Sequence, residues 1–143
     1  GPPRLLPPRA AKPGIVAPAD ALRRIGRVAT QPGLVVVVSD WRDEDDWTRA
    51  LGALALRHSV LAIEVRDPRE GALPAVGRLA LVDPETGERI EVDTARAAVR
   101  ARYAALERDR RARIARELRR LAVEHVVLST DRDWLGDLGR RLR

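Results

Sequence analysis

The 143-residue sequence contains no cysteine, no methionine and no phenylalanine, and Lys12 is its only lysine. Without cysteine there can be no disulfide, no thiolate metal site and no cysteine nucleophile. A chain of this length can still bury a core large enough to fold without such staples. An intracellular, cytoplasmic setting is the expectation that fits. No run approaches the roughly 18 apolar residues needed to cross a bilayer, so no membrane span is expected. The start, Gly1-Pro2-Pro3, has no secretory signal pattern. With no initiator methionine, the chain is expected to be a processed product or a piece of a longer one. Aromatics are only 3% of the residues. What the sequence does have is arginine, alanine, glycine, proline and valine, with a formal net charge of +6. Such a balance fits a GC-rich coding bias, or an acidic partner.

Prolines 2, 3, 7, 8, 13 and 18 punctuate the beginning. Proline lacks an N–H and fixes φ, so residues 1–17 read as an extended arm and 18–143 as a single α/β domain. Pro18 suits a first helical turn, with Leu22, Ile25 and Val28 at helical spacing behind it and Pro32-Gly33 as the stop. Leu34–Val38 is a short β-branched run, apolar on both faces. That pattern predicts a parallel strand covered on both sides. A helix over 43–57 follows, with Asp43, Glu44, Asp45 and Asp46 at the positive end of its dipole and Trp47, Ala50, Leu51 and Leu54 as its apolar face. Val60–Val65 is a second strand, which makes a βαβ unit.

Residues 78–93 alternate, with Pro84-Glu85-Thr86-Gly87 between the halves, and predict an antiparallel hairpin. A helix over 95–122 is expected to bury Val99, Tyr103, Leu106, Ile114, Leu118 and Leu121. Val126–Ser129 is a third strand. Thr130 is a candidate cap for a last helix whose inner face is Trp134, Leu135, Leu138 and Leu142. The order predicts an open, mostly parallel sheet with helices on both faces, plus the hairpin.

Several stretches together resemble a known family: Val35–Asp40 (VVVVSD), Arg57-His58 leading into Val65–Glu70, Gly77–Thr94 (GRLALVDPETGERIEVDT) and Leu128–Asp131 (LSTD). They look like the domain-of-unknown-function family fifty-eight, bacterial MoxR-associated proteins with a von Willebrand factor A-like domain. The resemblance covers about residues 18–142. It implies the C-terminal half of a Rossmann-like sheet of order 3-2-1-4-5-6, with the strands here matching the fourth, fifth and sixth. The first three strands and the D-x-S-x-S metal segment are missing. Asp40, with Ser39 beside it, matches the one metal-site position this half supplies. Magnesium is therefore implied only if another segment provides the rest.

No other constellation carries chemistry. His58 and His125 each precede an apolar strand and form no catalytic or zinc motif. Asp67, Glu70, Asp83, Glu85 and Asp93 flank turns, where conformation alone favours them. The Asp43–Asp46 cluster lacks a calcium-loop pattern. The chain is thus expected to be no enzyme but a protein-interaction or scaffold module. The resemblance implies a MoxR-type AAA+ ATPase as partner. In the implied fold the Val35–Val38 strand loses its neighbour and lies at an edge, open to a second copy, a swapped dimer, the N-terminal arm or a partner segment. The alternative is nucleic-acid binding by the 95–122 helix, through a basic face that includes Arg110, Arg113, Arg116 and Arg120. It lacks stacking aromatics, so nucleic acid is the less favoured partner.

Overall fold

The computed structural model describes residues 17–42, 46–83 and 86–143. Helix α1 (Pro18–Val28) begins with proline in its first turn and ends at Ala29, ahead of Pro32-Gly33. Strand β1 (Leu34–Ser39) leads to helix α2 (Trp47–Ala55), strand β2 (Ser59–Arg66) and a 3-10 turn (Pro68–Gly71). The hairpin strands β3 (Arg78–Val82) and β4 (Arg89–Asp93) come next. Helix α3 (Ala97–Arg120), strand β5 (Glu124–Ser129) and helix α4 (Trp134–Arg141) complete the chain.

The three apolar strands form one parallel sheet in the order β1-β2-β5. The expected βαβ unit is therefore present, and β2 is central. The hairpin forms its own antiparallel pair, with Leu79 opposite Val92 and Leu81 opposite Ile90. Gly87 adopts φ 74°, as a turn of this kind requires. Pro84 and Glu85 lie outside the described residues, as does residues 1–16 of the proline-rich arm.

Strand side chains alternate between two faces. One face carries Val35, Val37, Val60 and Ala62. It packs with Leu22 of α1, Ala50, Leu51 and Leu54 of α2, and Ile114 and Leu118 of α3. The opposite face carries Leu61, Ile63, Val126 and Leu128, and among the described residues only Leu138 of α4 packs on that cluster. Helices thus lie on both faces, but unequally. The expectation that β1 is covered on both sides fails. Leu34, Val36 and Val38 are 68%, 47% and 62% exposed. The cause is topological: α4 is the one helix packed on that face, and it follows β5, at the other side of the sheet.

Other boundaries move for local reasons. Helix α2 starts at Trp47, and Asp43, Glu44 and Asp45 lie outside the described residues. Its expected apolar face is buried throughout. Helix α4 is capped not by Thr130 but by Asp133, whose carboxylate accepts from the Gly136 N–H at 3.1 Å. Three of the four residues expected on its inner face, Trp134, Leu135 and Leu142, are exposed. Helix α3 ends in a left-handed residue, Ala122 (φ 56°), and the Val123 N–H reaches back to the Leu118 carbonyl at 3.0 Å.

Candidate functional site

Open α/β sheets place ligands beyond the C-terminal ends of their parallel strands. Here those ends bring together Ser39 and Asp40 after β1, Glu64 and Arg66 at the end of β2, and Ser129 after β5. The register pairs Ser39 with Glu64 and Arg66 with Ser129.

Ser39 and Asp40 act as turn residues. The Ser39 hydroxyl accepts from the Trp41 N–H at 3.0 Å, and the Asp40 carboxylate accepts from the Arg42 N–H at 3.1 Å. These bonds hold Trp41 at φ 56°, a left-handed backbone that a bulky residue rarely takes. Burial compensates. The Trp41 ring packs edge-on against Trp47, with centroids 4.8 Å apart, and its Nε1–H points at the Ile63 carbonyl at 3.4 Å. Among the described residues no cluster of three or more His, Asp or Glu side chains is placed to hold a metal. One hydroxyl and one carboxylate fall short of the oxygen set that magnesium requires.

Glu64 is fully buried in the middle of the sheet. Its carboxylate accepts from Arg66 Nε at 2.7 Å and Nη2 at 3.1 Å, and it lies 2.8 Å from His125 Nε2. A buried carboxylate is tolerated only when paired in this way. The sequence did carry a signal: Glu64 interrupts an apolar run, and Arg66, two residues on, shares its face. His58 is also buried, and its Nε2 has no hydrogen-bond partner among the described residues.

A larger ionic network sits where α3 crosses this end of the molecule. Glu107 is 8% exposed, whereas Leu106, expected on the buried stripe, is 60% exposed. The inward face runs through Tyr103, Glu107, Arg110, Arg111, Ile114 and Leu118 instead. The first half of α3 therefore presents polar groups inward. Arg42 donates to Glu107 from Nη1 at 3.3 Å and Nη2 at 3.2 Å, and Nη2 also reaches Glu70 at 3.2 Å. Arg110 donates to the same carboxylate at 3.3–3.4 Å, and its Nη1 points at the Trp41 carbonyl at 3.4 Å. Arg111 Nε stands 4.0 Å away. The Tyr103 hydroxyl donates to the Glu70 carbonyl at 2.9 Å.

Burial works against charge on Glu107, but Arg110 and Arg42 more than offset it and hold its carboxyl below the usual range. Burial likewise opposes charge on Arg42, yet Glu107 and Glu70 prevail and raise its pKa. Burial first, then the Glu107 charge, raises Tyr103. Chemically the network is a clamp: it ties the Trp41-Arg42 turn, the 3-10 turn and α3 into one unit.

The four arginines singled out on α3 are not equivalent. Arg113, Arg116 and Arg120 are exposed, and Arg120 pairs with Glu117 at 2.7 Å. Arg110 is turned inward and bound to Glu107. Among the described residues Val35–Val38 lie on a strand at the edge of the three-stranded sheet. Among the described residues no helix is long and apolar enough to cross a membrane.

The description "Protein of unknown function DUF58" belongs to the family model that matches residues 6–113. An uncharacterized Mycobacterium avium protein is 44% identical over 121 residues, which cover 85% of this chain and 69% of that protein. Uncharacterized proteins of Mycobacterium bovis and Mycobacterium tuberculosis are 42% identical over 123 residues, 85% of this chain but 37% of theirs. The chain thus spans little more than a third of these longer relatives. No solved structure matches. With three quarters of its length matched and relatives of this identity, the chain belongs to the DUF58 family.

Proposed function

We propose that this chain is a non-catalytic recognition module whose β1 edge accepts a further polypeptide segment. The observation that supports it is the state of β1. Among the described residues the strand lies at the sheet edge, has six residues without a charge or proline, and leaves Leu34, Val36 and Val38 exposed. Natural edge strands are normally blunted by charge, proline or a bulge. Covering an aliphatic side chain fully stabilises by about 1.5–3 kcal/mol, so these three residues alone reward a partner. Beside the edge, Leu22 and Ile25 of α1 with Val36, Val38, Trp41 and Trp47 line a groove of about 270 Å³.

In this reading the chain is half of a von Willebrand factor A-like sheet, and the segment is a strand from the preceding half of a longer protein. The greater length of the mycobacterial relatives leaves room for one. Asp40 and Ser39 would then stand beside that strand, where added ligands would complete a metal site. The family resemblance makes a MoxR-type AAA+ ATPase the proposed partner of the assembled domain. At the sheet end the Ser129 hydroxyl donates to the Asp131 carboxylate two residues on, an exposed turn contact, and the other carboxylates named above are engaged by arginines, histidine or backbone N–H groups.

Hydrogen exchange and size exclusion with light scattering test the proposal. The isolated chain is expected to self-associate as its concentration rises, and Val36→Lys or Val38→Lys on the exposed face to restore a monomer. In the longer protein the Val35–Val38 amides are expected to be as protected as those of β2. A clean monomer with these amides fast in both contexts would refute it. A MoxR-type ATPase that fails to co-purify with the longer protein removes that partner. Nucleic-acid binding predicts a salt-sensitive gel shift that is lost in an Arg113/Arg116/Arg120 triple alanine variant.

A further inference from the structure

Arg111 stands apart from the other arginines at the sheet end. Its side chain is only 25% exposed and its Nε is enclosed, yet among the described residues that Nε makes no hydrogen bond. Its nearest counter-ion, the Glu107 carboxylate, is 4.0 Å away and already engaged by Arg42 and Arg110. Three guanidinium groups (Arg42, Arg110 and Arg111) therefore share two carboxylates, Glu107 and Glu70. Counted over the described residues, the group has one positive charge more than it has carboxylates, in a partly desolvated place where charge acts more strongly than in water.

The head of Arg111 also has a defined place beside the 3-10 turn. It lies over Gly71, where an added Cβ would stand 3.2 Å from Nη2 and 3.5 Å from Nη1. Gly71 does not adopt positive φ, so a side chain there would be felt through its closeness to the Arg111 head and not through backbone conformation. The 3-10 turn that ends at Gly71 is itself tied to α3 by the Tyr103 hydroxyl bond to the Glu70 carbonyl. The result is a largely buried guanidinium close to Gly71, with no hydrogen bond of its own among the described residues, beside the C-terminal end of a parallel sheet.

We propose that Arg111 is the receptor for an oxyanion, a carboxylate or a phosphate group, bound by the ends of its guanidinium at the junction of Gly71 and α3. A planar fork on a side chain that is already three-quarters buried matches two oxygens of such a group and loses less freedom on binding than an exposed one would. Arg110 and Arg42 supply the surrounding positive field while remaining bound to Glu107. The site needs no metal and does not involve the β1 edge.

Titration of the chain with inorganic phosphate and, separately, with acetate and glutarate tests this, read from the arginine Nε–H resonances. The expected result is a saturable shift of the Arg111 signal with at least one of them. Preference for phosphate identifies a phosphorylated ligand, and preference for the dicarboxylate identifies an acidic one. Arg111→Lys keeps the charge but loses the fork, and roughly tenfold weaker binding is expected. Gly71→Ala displaces the head without touching its charge and is expected to weaken binding while the chain stays folded by thermal melting. The proposal is overturned if no titration saturates, or if the shifts persist unchanged in Arg111→Lys, which would mark an adventitious ion only.

Discussion

Replacing Glu107 by glutamine removes the one charge that serves Arg42, Arg110 and Arg111 together while keeping the shape of the side chain. Breaking a fully buried ion pair costs about 3–5 kcal/mol because a charge is left uncompensated. Here Glu107 is buried but the Arg42 and Arg110 side chains are 32% and 18% exposed, so water screens part of the loss. About 2 kcal/mol is the expected destabilisation at neutral pH. For a chain of this size that corresponds to a fall in Tm of roughly 6 °C. The pH dependence gives a second check. The folded Glu107 carboxyl is held below its ordinary value, so its contribution is complete above the unfolded carboxylate range and fades as pH falls through the depressed folded value. The gap between Glu107→Gln and the unaltered chain should close over that acid window. Urea unfolding followed by tryptophan fluorescence measures both, since Trp41 contacts Arg110 through its carbonyl. A variant within about 0.5 kcal/mol of the unaltered chain at neutral pH, or a gap that persists in acid, refutes the clamp.

Two further substitutions probe the frame that carries the site. Ala122 occupies the left-handed position after α3, so Ala122→Gly should stabilise by about 1 kcal/mol, read as a raised urea midpoint at unchanged slope. Leu118 is fully buried in the same core cluster as Ile114, so Leu118→Ala should cost about 2–5 kcal/mol in the same assay, with a loss under 1 kcal/mol counting against the described core.

Much of the fold was legible because it rests on local chemistry. Valine runs with no charge make strands, Pro18 opens a helix, and the Gly87 turn closes a hairpin. Periodicity located α2 and its buried face through Trp47, Ala50, Leu51 and Leu54. It failed on the first half of α3. There Leu106 fits an apolar stripe by type, yet the face that turns inward holds Glu107, because what it meets is the Arg42 turn and not the sheet. The site was mostly illegible for the same reason: Arg42, Glu70 and Glu107 are far apart in sequence and each is unremarkable alone.

The amino-acid sequence by itself determined the element types and the parallel pairing, since these follow from residue size, branching and turn-forming tendency along short stretches. Tertiary structure alone decided that β1 is covered on one face only, that Glu107 is turned inward against Arg42 and Arg110, and that among the described residues the Arg111 Nε makes no hydrogen bond. Those outcomes depend on where helices land and how distant charges share one another, which no local pattern encodes.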